Sequence, residues 1–167
     1  TGIQNTAVGS LALRDNTTGT QNTAVGLNAL ILNTTGTYNT ALGKDSLFSN
    51  TVGTQNTAVG FNSLRENISN NNTAFGSQTL SCNTTGTQNT AVGVGALYPN
   101  TTGGSNSALG RDALNSNTTG TNNTAVGQRA LYYSTTGNHN TANGSQTLYN
   151  NTTGRNNTAS GINALYL

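Results

Sequence analysis

Charge is the scarcest property of this chain. Six Lys and Arg stand against four Asp and Glu, and charged residues make up 6% of the sequence, where an ordinary globular protein carries about a quarter. A surface this poor in charge cannot work by its electrostatic field. The net charge of +2, without a basic cluster, argues against nucleic acid, because phosphate binding needs several Lys or Arg on one face. The longest apolar run is far below the ~20 residues of a membrane span, and no charged-plus-apolar signal segment opens the chain. Met is absent, and the first residue is Thr1, so we expect a processed piece of a longer protein with its targeting information elsewhere. The single Cys82 cannot pair within the chain, and no basic residue is placed to activate it as a nucleophile.

What the sequence does have is a phrase said ten times. "NTAVGLNALILNTTGTYNTALGKDSL", residues 22 to 47, contains two near-copies of it, and the whole chain aligns as ten units of 17 residues starting at residues 1, 18, 35, 52, 69, 85, 102, 119, 136 and 153. One residue is missing near Asn70 and two after Leu167. The array fills residues 1–167 as a single domain. Its composition, rich in Asn, Thr and Gly, also fits a disordered low-complexity segment. Strict register opposes that reading, since Asn at unit position 5, Ala at 7, Gly at 9 and Leu at 13 recur in all ten units.

The stretch N-T-A-V-G alternates as a short strand does, with positions 6 and 8 on one face and 5, 7 and 9 on the other. Gly at positions 2 and 9 marks turns, and a second strand is expected around A-L, positions 11 to 15. Helix is disfavoured: Val8 and Leu13 lie five residues apart, and two Gly per unit would each cost about 1 kcal/mol. The expected fold is all-β, a parallel β-solenoid or β-roll of ten coils whose identical positions stack about 4.8 Å apart. Asn at position 5 (Asn22, Asn39) would form an amide ladder. Leu30 and Leu47 with Val25 and Leu42 would supply the core, Gly26 and Gly43 the bend. The small Ala24 and Ala41 would leave room for a neighbouring chain. A buried face made by neighbours, as in a homotrimer, is expected because one Val and one Leu contribute only about 3 to 6 kcal/mol per coil, against roughly 20 kcal/mol for ordering 17 backbones.

The phrases "NTAVG", "xxAL" and "NTTG" resemble the head repeats of trimeric autotransporter adhesins. More closely, they resemble the N-T-A-x-G-x-x-A-L arrays of phage tail-fibre-like proteins, which often precede a self-cleaving chaperone domain of the endosialidase type. The resemblance spans the whole chain. It implies a parallel β-roll, three copies side by side, in an extracellular, cell-surface or virion-borne stalk or head.

Chemistry is thinly represented. Asp15 and Glu66 share one column three coils apart, roughly 14 Å, and Asp45 and Asp112 another, roughly 19 Å. Neither spacing suits the ~5 to 9.5 Å of a glycosidase pair. His139, the only His, falls at a variable position and reads as a surface residue. No catalytic residue, cofactor or metal ligand is therefore assigned, and the expected function is non-enzymatic: spacing or displaying binding surfaces in a fibre or adhesin. Aromatic residues at position 14 and beside it, Tyr98, Tyr132, Tyr133 and Tyr149, are candidates for facing a cell-surface glycan or receptor. Asn16, Asn33, Asn83, Asn100, Asn117 and Asn151 are N-x-Ser/Thr sequons in what is expected to be an exposed N-T-T turn, open to glycosylation. Two alternatives accompany this reading. One is a secreted filament whose subunits stack end to end. The other is an ice-binding solenoid, suggested by T-G-T units such as Thr18/Thr20 and Thr85/Thr87.

Overall fold

The computed structural model describes residues 2–167; Thr1, where the first unit begins, lies outside them. Each unit is one coil of a parallel β-solenoid. The coil contributes a three-residue strand, from Thr6–Val8 in the first to Thr158–Ser160 in the tenth. The strands form one ten-stranded sheet in chain order. The register is the same throughout: Thr6 pairs with Thr23, Ala7 with Ala24, Val8 with Val25. Like residues therefore lie above one another, as the period requires, and no helix occurs among the described residues.

The second strand expected at positions 11 to 15 is not formed. That segment is a turn, because alternate residues adopt left-handed backbone: Asn28 (φ 56°) and Leu30 (φ 53°) in the second coil, Asp45 (φ 56°) and Leu47 (φ 49°) in the third. Position 4 is left-handed too, as in Gln21 (φ 57°) and Tyr38 (φ 59°). Left-handed φ costs a non-glycine residue roughly 1 to 2 kcal/mol, and only the lattice between coils can hold it. The lattice is dense: the Leu30 N–H donates to Ser46 O at 3.0 Å and the Asp45 N–H to Leu27 O at 2.9 Å, one bond up the rod and one down.

The core also differs from expectation in one column. Leu30 and Leu47 are fully buried, and so are Ala24 and Ala41. Val25 is half-buried, and Leu42 is 45% exposed. The alternation of T-A-V separates two faces, and the inner one carries Ala, because a 17-residue coil is too narrow to hold Leu from one wall and Val from the other. Ala24 with Ala29, and their equivalents in other coils, pack around the Leu column instead. The small residue expected to admit a neighbouring chain is thus an interior residue, and the larger apolar one faces outward.

Gly26 turns the chain at φ 134°, and a Cβ there would lie 2.7 Å from the carbonyl carbon and oxygen of Gly43. The fifth coil shows how the missing residue is absorbed. Ser69 takes the place of the first turn glycine, its carbonyl accepting from Asn56 Nδ2 at 2.7 Å, and its hydroxyl donates to Gly86 O at 2.6 Å.

Candidate functional site

The interior is closed by two Asn ladders. In the expected one, Asn22 Oδ1 accepts the backbone N–H of Asn39 at 3.0 Å and its amide side-chain nitrogen at 3.2 Å, while Asn22 Nδ2 donates to Gly36 O at 2.8 Å. Each Asn thus satisfies two groups of the following coil, and the series continues to Asn157, whose N–H donates to Asn140 Oδ1. The second ladder was not expected. It consists of position 16, where Asn33 Nδ2 donates to Asn16 Oδ1 at 2.8 Å, Asn100 Nδ2 to Asn83 Oδ1 at 2.7 Å, and Asn117 Nδ2 to Asn100 Oδ1 at 2.8 Å.

That ladder removes most of the proposed glycosylation sites. Asn33, Asn83, Asn100 and Asn117 are fully buried, so the side-chain nitrogen a glycan needs is pointed inward and already donating. Asn16 and Asn151, at the two ends, are half-buried, each donating to the glycine carbonyl of its own turn. The sequence signal for this second ladder was the recurrence of Asn itself, at a place where a merely exposed turn would vary. Exposed sequon Asn residues lie elsewhere, at Asn71, Asn122 and Asn156 in position 4, Asn143 in position 8 and Asn150 in position 15.

The aromatic candidates separate into two kinds. Tyr132, Tyr149 and Tyr166 stack face to face, with centroids 5.3 and 4.9 Å apart and interplanar angles of 9° and 2°. Tyr133 meets Tyr132 and Tyr149 edge-on. Rings stacked in this way occupy each other's faces and leave only edges to a ligand, so Tyr132 and Tyr149 are chiefly packing groups. Loss of solvent, followed by the neighbouring Tyr133, raises the Tyr149 phenol above its usual 10.0. Tyr98, flanked in its column by Ser81 and Asn115, stands without a stacking partner and is 38% exposed.

The charged residues lie on the outside in local pairs, such as Arg14 with Asp15 at 2.7 Å and Lys44 with Asp45 at 3.8 Å. Hydrogen bonds from the Arg14 guanidinium hold Asp15 below its usual 3.8. Arg129 joins Asp112 of the preceding coil at 3.7 Å. Cys82 is half-buried and His139 exposed. Among the described residues, no three His, Cys, Asp or Glu side chains come together and no cavity opens.

The largest unassigned feature is the outer face of the sheet. Position 6 is Thr in nine coils and Ser in one, exposed or half-exposed. Position 8 presents Val8, Leu42, Phe75 and Leu109 at 45 to 57% exposure. Sequence reasoning placed this column inside, although its alternation with the constant Ala carried the information that one of the two faces outward. Comparison with protein-family models, with curated proteins and with solved structures finds no match.

Proposed function

We propose that this chain is a non-enzymatic, structural segment of an extracellular or virion fibre, a stiff spacer that assembles with copies of itself, as a homotrimer, and presents its outer turns to a partner. The observation that carries the reading is the continuity of the lattice: a single sheet and the ladder from Asn5 to Asn157 run through ten coils, with a second, interrupted ladder beside them, giving a rod on the order of 45 Å long. Such an object is suited to holding things apart. The resemblance of its N-T-A-V-G units to adhesin heads and tail-fibre arrays points the same way. An apolar column along eight coils, alternately exposed and half-exposed, supports the side-by-side assembly. Tyr98 and Tyr133 are the aromatic rings best placed to meet a glycan.

Negative-stain microscopy together with mass in solution tests the proposal. Discrete short rods of fixed stoichiometry are expected. Indefinite fibres would favour the end-to-end filament instead, and thermal hysteresis at high concentration would favour ice binding.

A further inference from the structure

Along the outer face, the apolar side chains are ordered by coil number. At position 8 the even coils from two to eight carry Val (Val25, Val59, Val92, Val126), while coils three, five and seven carry the larger Leu42, Phe75 and Leu109. At position 10, just past the glycine bend, the apolar residues fall on even coils instead. Coils two, four and six carry Leu27, Phe61 and Val94, and the odd coils from one to nine carry Ser10, Lys44, Ser77, Arg111 and Ser145. From coil two to coil seven, one well-exposed apolar side chain per coil steps between two adjacent columns, each of the six 42 to 52% exposed. In coils two, four and five it is also the larger of its pair: Leu27 beside Val25, Phe61 beside Val59 and Phe75 beside Ser77. These residues recur in each column every second coil, roughly 9.6 Å apart, with Val between them at position 8 and Lys44 or Ser77 between them at position 10. The interior, filled by Ala and Leu, does not call for this alternation; within the chain, Lys44 Nζ lies over the Phe61 ring, 5.7 Å from its centroid.

Resting on the fibre reading above, we infer that this strip is where a second copy of the chain binds, parallel and in coil-for-coil register, with the alternation acting as the register key. A rotation axis parallel to the rod and facing the strip sets each coil against the same coil of its neighbour and exchanges the two columns. Position 8 of one copy then meets position 10 of the other. Phe75 faces Ser77, Phe61 faces Val59 and Leu27 faces Val25, a larger group against a smaller one each time, while coil six sets Val92 against Val94. Lys44 and Arg111 meet Leu42 and Leu109 with their aliphatic stems, while their charged ends remain beside Asp45 and Asp112 on their own coil. No charge meets a like charge.

The size of the strip is adequate. Positions 6 to 10 over ten coils span on the order of 600 Å² in plan, near the ~800 Å² of accessible surface that each partner gives a stable interface.

Filling one gap tests the key. Ser77→Phe places two phenyl rings opposite each other in coil five and should weaken association about tenfold or more, measured by analytical ultracentrifugation. Position 10 faces outward, so far-UV circular dichroism should be unchanged. Adding Phe75→Val should restore association, because the gap has moved to the other column. Association unaffected by Ser77→Phe would show that another face pairs and overturn this inference while leaving the fibre reading intact. Rescue by Phe61→Ser in place of Phe75→Val would mean that coil five meets coil four in an antiparallel pair, and would overturn the register. A native chain that stays monomeric at its highest soluble concentration would overturn both this inference and the self-assembling fibre.

Discussion

At the scale of single residues, stability is decided by whether each side chain agrees with the coil above and the coil below. Asn89 shows the penalty for removal. Its Oδ1 accepts the Asn106 N–H at 3.1 Å and its Nδ2 donates to Gly103 O at 2.8 Å. Asn89→Ala leaves the Asn106 N–H buried and unpaired, whereas Gly103 O keeps the bond from Asn100 Nδ2 at 2.9 Å, so the substitution should cost about 1 to 3 kcal/mol in urea unfolding. The second ladder has a natural gap, where Ser134 replaces Asn. Its hydroxyl and Asn117 Oδ1 are both buried without a partner. Ser134→Asn should join the interrupted series and raise stability by about 1 kcal/mol or more, seen as an increased Tm. Backbone strain offers another handle. Gln88, exposed at φ 59°, would hold its conformation more cheaply as Gly, so Gln88→Gly should be stabilising by about 0.5 to 1 kcal/mol. Gly93→Ala should do the reverse, since its Cβ would lie 2.6 Å from the carbonyl of Gly110.

At the scale of the strand and turn, much of the fold was legible and the direction of its faces was not. A 17-residue period with fixed Asn, Ala, Gly and Leu specifies stacked coils in parallel register, and the Asn22 column forms the ladder expected of it. The segment around Leu30 defeated the strand reading because the left-handed φ of Asn28 and Leu30 is not encoded by residue type: Leu carries no preference for it, and the neighbouring coils impose it. The T-A-V triplet defeated the burial reading for a related reason. Hydrophobicity ranks Val above Ala, but the width of the coil selects the smaller side chain. An inside-out pair of substitutions should expose that choice. Ala91→Val inserts two methyl groups into a fully buried column and should cost about 1 to 3 kcal/mol. Val92→Thr, on the outer side of the same strand, should leave the unfolding of an isolated chain nearly unchanged.

At the scale of the whole molecule, the shortage of ionisable groups governs the response to solution conditions. With four acids and one His, few groups can titrate differently in the folded and unfolded states, so Tm should be nearly flat from about pH 5 to 9. The two ends of that range differ in sign. Asp15 is held below its usual 3.8; its small contribution is complete above that value and is lost as pH falls below it. Tyr149 is raised above 10.0; folding favours the neutral phenol, so its contribution is complete below that value and declines as pH climbs past it. A Tm profile with a broad plateau and an alkaline shoulder, the latter reduced in Tyr149→Phe, is the expected result.

Parity along the outer face has a consequence for how such a gene can change length. Unequal crossing-over between repeats adds or deletes whole coils without disturbing either interior ladder, so the folded rod tolerates any integer change. Losing a single coil nevertheless inverts the odd-even order of everything downstream, whereas losing two preserves it. If copies pair along this face as proposed, chains differing by one repeat would pair with their own kind and poorly with each other, so that recombination in a monotonous tract would separate assemblies while leaving every monomer sound.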